Sequence, residues 1–262
     1  LGGLYQVTGD KTFTAVGAGT TFNNSRFLTD TGGEIVVDTV SDQYTGTHTA
    51  TTGVSTGLGF VLFEAKGVDG VGTGSLLNLQ SLTNLTTTIS QGNSQTELTI
   101  HAADKGTIDL RNVTTAGMVA GQPLNRLKFF IEGGANGNGN IRLDNLQTAN
   151  SVRFDVRAGG FTLPALTTAT QPDFVLGSGI GTLTLPLLTT ATQPKFIIAT
   201  GSNLTANGLT SVDGATIDVA TGGTLSIPNV DDITTSTVTL AGSAQLTTAP
   251  LSDINGSRFL LS

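Results

Sequence analysis

The sequence predicts an all-β chain, a single elongated parallel β-solenoid. Three observations predict it. Residues 161–262 repeat with a period of about 21 residues, within the range of solenoid repeats. Each copy carries short runs in which apolar and polar residues alternate, the mark of strands with one buried face. Thr, Gly and β-branched residues dominate, and these disfavour helix.

The repeat is plainest in FTLPALTTATQPDFVL, starting at Phe161, and LTLPLLTTATQPKFII, starting at Leu183. Later copies keep the spacing more than the letters. Each opens with an apolar-x-apolar strand: Phe161-Thr162-Leu163, Leu183-Thr184-Leu185, Leu225-Ser226-Ile227. A second strand follows: Phe174-Val175-Leu176, Phe196-Ile197-Ile198, Ile217-Asp218-Val219, Val238-Thr239-Leu240, Phe259-Leu260-Leu261. Two short strands cannot bury their own apolar faces. Stacking the next copy about 4.8 Å away buries them and pairs the backbones in parallel.

The same pattern extends toward the N-terminus. Ile35-Val36-Val37 with Val40, Leu77-Asn78-Leu79 and Ile108-Asp109-Leu110 open rungs that close at Phe60–Phe63, Leu98–Ile100 and Phe129–Ile131. Ile141-Arg142-Leu143 opens another, closing at Phe154–Val156. The whole reads as about ten rungs of roughly 21 residues, with the right-handed crossover that parallel strands prefer. Residues 1–34 read as an irregular cap with the first rung or rungs, residues 35–140 as rungs with long insertions, and residues 141–262 as compact regular rungs. The insertions, 41–59, 83–96 and 114–126, all follow an opening strand. Insertions at one repeat position stack on one side, so a lobe or ledge is expected there. Within it, Leu85–Ile89 is strand-like enough to build a third small sheet.

The spacing LPxLTxAxxxxF resembles the repeats of receptor L domains, which are right-handed β-helices, and is similar to bacterial adhesin and haemagglutinin passenger repeats. The resemblance lies mainly in 161–240. It implies a β-helix and brings no particular ligand with it.

Composition bounds the chemistry. The 262 residues include no Cys, two His and a net charge of −7. Without Cys there is no disulfide framework, thiolate zinc site or thiol nucleophile. Nucleic acid is not expected as a partner, because phosphate neutralisation requires clustered Lys and Arg. No apolar stretch is long enough for a membrane-spanning helix. The start at Leu1-Gly2-Gly3 reads as that of a processed or excised segment. The low charge and abundant Thr, Ser, Asn and Gly match an extracellular or cell-surface protein.

Four candidate sites stand out. The first is a charged ladder on the middle rungs. In register Asp109 stacks on Arg142, Arg111 on Asp144 and Glu132 on Arg157, with a further column Glu97, Lys128, Arg153, Asp173, Lys195. Opposite charges on neighbouring strands stabilise a sheet by about 0.2–1 kcal/mol a pair; the same residue types also line polysaccharide-cleaving grooves. The second is a candidate ligand ledge of Asp42, Tyr44 and His48, with His101, Asp104 and Lys105 as another His–carboxylate group that could act as acid and base. The third is Asp213, Asp231, Asp232 and Asp253, oxygen ligands of the kind calcium takes; no other cofactor is implied. The fourth is the row Thr162, Thr184, Thr205, Ser226, Thr247, which suggests ice binding but lacks a second Thr rank beside it.

The functional expectation is a non-enzymatic extracellular structural or adhesive segment, a fibre, stalk or surface-layer piece. The alternative is a carbohydrate-binding or polysaccharide-degrading module acting on cell-surface or matrix glycan. Phe259, Leu260 and Leu261 stop inside a strand with an apolar edge, which suits head-to-tail assembly with a second copy.

Overall fold

A computed structural model describes residues 3–17, 22–39, 43–49, 60–91, 97–119, 125–178 and 181–262. The described residues form strands and turns with no helix, and the fold is a parallel β-solenoid. The contacts divide the chain into two compact units, Leu1–Asp144 and Asn145–Ser262.

In the first unit the chain winds through three parallel sheets. The long sheet takes Gly3–Thr8, Ser25–Asp30, Phe60–Lys66, Glu97–Ala103 and Arg126–Ile131, in that order. The opening sheet takes Thr12–Gly17, Glu34–Thr39, Leu76–Asn78, Thr107–Asp109 and Asn140–Arg142. The third sheet takes Gln43–Thr49, Asn84–Gln91 and Thr115–Met118. Residues 3–17, read from sequence as part of an irregular cap, are therefore two registered strands. The described parts of the insertions pair with one another as the third sheet, so they form a wall of the solenoid itself. Leu85–Ile89 lies within it.

The second unit repeats this plan. Its long sheet runs Val152–Val156, Asp173–Leu176, Lys195–Ile198, Thr216–Val219, Thr237–Leu240 and Arg258–Leu261. Its opening sheet runs Gly160–Thr162, Thr182–Thr184, Asn203–Thr205, Thr224–Ile227 and Gln245–Thr248. Three short strands, Thr148–Asn150, Thr168–Thr170 and Thr190–Thr192, make the third sheet. Sequence reasoning expected two strands per repeat and missed these.

The core follows from the register. Phe154, Phe174 and Phe196 stack with centroids 5.7 and 5.5 Å apart, and Ile217 and Val238 continue the column. Each fully buried Phe contributes about 1.5–3 kcal/mol. On the third sheet the inward column is Ala149, Ala169 and Ala191, small enough to bring that wall close to the core. One residue per rung turns the corner in the left-handed conformation: Ser151, Gln171, Gln193, Gly214, Thr235 and Gly256. The Gln171 amide donates to Gln193 Oε1 at 3.1 Å, which ties two of these corners together.

Candidate functional site

The charged ladder lies on the outward side of the opening sheet in the first unit. Leu77, Ile108 and Ile141 point inward, so Asn78, Asp109 and Arg142 share the outward column. Asp109 is nevertheless only 4% exposed. Arg111 Nε donates to both its oxygens, at 2.9 and 3.1 Å, and Arg111 Nη2 also reaches Oδ2. Arg142 bridges two carboxylates, Asp144 Oδ2 at 2.7 Å and Asp109 Oδ2 at 3.7 Å. Burial pushes the Asp109 carboxyl up, but the Arg111 hydrogen bonds and the charge of Arg142 outweigh it and hold it below its ordinary value. These charges are arranged to satisfy one another, the pattern of a structural ladder.

Glu132 and Arg157 each have a partner in their own unit. Glu132 Oε2 lies 3.3 Å from His101 Nε2, and Arg157 Nε donates to Asp155 Oδ1 at 3.0 Å. Asp155 is fully buried and also takes Arg153 Nη2 at 3.1 Å. The column read as Glu97 then Lys128 is offset by two residues. Arg126 pairs with Glu97 in register, because Arg126–Ile131 begins earlier than expected. Lys128 still reaches Glu97 Oε2 at 3.3 Å, with its ammonium 4.5 Å from the centre of the Phe130 ring.

The expected ledge is not a ledge. Asp42 lies outside the described residues. Tyr44 is 1% exposed, and His48 is buried beside it. In Gln43–Thr49 the inward positions are Tyr44, Gly46 and His48, and the outward ones are Gln43, Thr45 and Thr47. The Tyr44 hydroxyl donates to Ser25 O at 2.8 Å and stands 3.2 Å from His48 Nε2. Burial pushes the Tyr44 hydroxyl up and the His48 imidazole down, and Arg26 also lowers both. A Cβ at Gly46 would sit 2.5 Å from His48 Nε2, so glycine there leaves room for this pair. Both side chains serve the core.

His101 belongs to a buried network that sequence reasoning only half found. Glu64, His101 and Phe130 share one column. His101 Nδ1 meets Glu64 Oε1, Lys66 Nζ lies 3.3 Å from Glu64 Oε2, and the imidazole stacks on Phe130. The Nε2 contact with Glu132, at 3.3 Å, lacks hydrogen-bond alignment. Asp104, by contrast, caps the turn at Asn136.

No protein-family model, no curated protein and no solved structure matches this chain.

The remaining candidates are surface rows. Asp232 and Asp253 bridge in parallel, and Thr234 donates to Asp213 through its hydroxyl and its amide. Partial desolvation and the charges of Asp213 and Asp253 raise the Asp232 carboxyl. Among the described residues no group of three or more His, Asp or Glu is placed to hold a metal ion. The single Thr row of the opening sheet is in register, from Thr162 to Thr247. The paired ranks missing there occur on the third sheet instead: Thr148, Thr168, Thr190 beside Asn150, Thr170, Thr192. Among the described residues no helix is long and apolar enough to cross a membrane.

Proposed function

We propose that this chain is a non-enzymatic extracellular structural or adhesive solenoid, in which stacked rungs supply a stiff scaffold that assembles head to tail. The observation that carries this reading is the internal pairing of the charges. Asp109, Asp155 and Glu64 are buried and held by arginine, histidine or lysine from the same walls. A catalytic cluster instead keeps groups in conflict, to shift their proton affinities. The strand Arg258–Leu261 adds a seat for assembly. Phe259 is 41% and Leu261 79% exposed, on an edge that a further parallel rung would pair and cover. That rung is either a second copy's or a continuation of the same polypeptide. Sedimentation velocity over a concentration series tests the reading: linear oligomers that disappear with Phe259→Lys and Leu261→Lys are expected, and a monomer at every concentration would count against assembly.

A second reading, ice binding, is supported by the two ranks of the third sheet, five threonines and Asn150. The threonines set hydroxyls on a regular grid, about 4.8 Å apart between rungs and about 7 Å along each strand. Thermal hysteresis that is lost with Thr170→Lys and Thr192→Lys would favour it; no hysteresis would dismiss it.

A further inference from the structure

The opening sheet of the first unit contains one irregularity that the scaffold reading does not use. Glu34–Thr39 is six residues long, whereas Leu76–Asn78, laid on it, is three. The two pair only through Glu34, Ile35 and Val36. Beyond that point the later rung turns away at Gln80-Ser81, and the strand through Val37 and Asp38 runs on straight, its other edge held by Ala15 and Val16. The mismatch opens a groove of about 310 Å³, lined by Val36, Val37, Asp38, Asn78, Gln80, Ser81 and Asn112. That volume is at the small end of ligand sites.

The lining is built, with five polar residues beside Val36 and Val37. Ser81 Oγ donates to Val37 O at 3.1 Å, covering part of the unpaired strand edge. Asn112 Nδ2 donates to Gln80 O at 2.9 Å, and the Gln80 amide donates to Asp109 Oδ2 at 3.3 Å. Asn78 Oδ1 accepts from Gln80 N at 3.2 Å, which turns its NH₂ away from that bond. The turn of the next rung is thereby fixed as one wall. Asp38 forms the other wall, exposed and with no ion pair or hydrogen bond among the described residues.

We infer that this groove binds a neutral, hydroxyl-rich glycan. A carboxylate beside carboxamides matches a vicinal diol: hydroxyl protons go to Asp38, and hydroxyl oxygens accept from the Asn78 NH₂. Charge selects against acidic sugars, because Arg111 and Arg142 are committed to Asp109 and Asp144 and the groove's own charged residue is a carboxylate, Asp38. The open strand edge is too short to take on a peptide strand. No aromatic ring lines the groove, so the affinity is that of hydrogen bonds alone, on the order of millimolar.

The test is amide chemical-shift mapping of the whole chain with cellohexaose, maltohexaose and β-mannohexaose, and with hexagalacturonate as the acidic comparison. At least one neutral oligosaccharide should give saturable shifts centred on Val36–Asp38, Asn78–Ser81 and Asn112. Its affinity should fall by about tenfold in Asp38→Asn and in Asn78→Ala, with circular dichroism unchanged. Asp38→Asn keeps the shape and removes only the charge, so it separates recognition from folding. Absence of saturable shifts with all three neutral probes, shifts that persist undiminished in both variants, or tighter binding of hexagalacturonate would each overturn the inference.

Discussion

His101 Nδ1 lies 3.0 Å from Glu64 Oε1, and His101 is only 4% exposed. The pair joins adjacent strands of the long sheet, on the side away from the Phe27–Phe63 core contact. Removing one member of such a pair leaves the other buried and short of a partner. His101→Leu is therefore expected to destabilise the first unit by about 2 kcal/mol, read by urea denaturation. Burial raises the Glu64 carboxyl, but His101 and Lys66 outweigh it, so its folded value lies below the ordinary 4.5. A depressed carboxyl stabilises the fold fully above the unfolded value, and the stabilisation is lost as pH falls through the folded value. The stability gap between the parent chain and Glu64→Gln should thus shrink as pH falls below the ordinary carboxyl value of 4.5 and through the lower folded value. A gap that widens over that window would refute the assignment.

Among the described glycines of the first unit, Gly106 makes the closest backbone approach. A Cβ there would sit 1.9 Å from the carbonyl oxygen of Ala65. That oxygen is backbone and cannot swing aside, so the corner itself would have to move. Gly106→Ala should cost about 3 kcal/mol or more and lower the thermal midpoint by several degrees. Gly70, with open space around its missing Cβ, is the control and should tolerate alanine.

Thr235 holds the left-handed corner position, with φ of 51°, between rungs that use Gly214 and Gly256 there. A β-branched residue is strained in that region. Thr235→Gly is expected to raise stability by about 1 kcal/mol, even after the added freedom of the unfolded chain. Calorimetry showing a clear loss would mean that the Thr235 side chain has a packing role outweighing the strain.

Much of this architecture was legible because large apolar residues advertise a period. Phe154, Phe174 and Phe196 marked the long sheet, and Phe161 and Leu183 the opening sheet. The Asp109–Arg142 pairing followed from the same register. In the first unit Leu85–Ile89 pointed to the third sheet, but in the second unit it was hidden because its inward residues are Ala169 and Ala191, which bury little surface and look like spacers between threonines. Gln43–Thr49 was hidden for a related reason. Its inward set is Tyr44, Gly46 and His48, a strict alternation with no aliphatic member; the polar partners Gln43, Thr45 and Thr47 were the available clue. The two-residue offset at Lys128 arose because a shift of two keeps the same residues facing inward, so Leu127 and Phe129 fit equally well opposite Leu98. The groove beside Asp38 depends on unequal strand lengths, and the pattern of apolar residues does not encode where pairing stops.

Electron microscopy of the chain at rising concentration tests the assembling scaffold most directly. The account predicts rods of copies joined end to end, growing with concentration and abolished by Phe259→Lys with Leu261→Lys. Separate particles of one size at every concentration would contradict it.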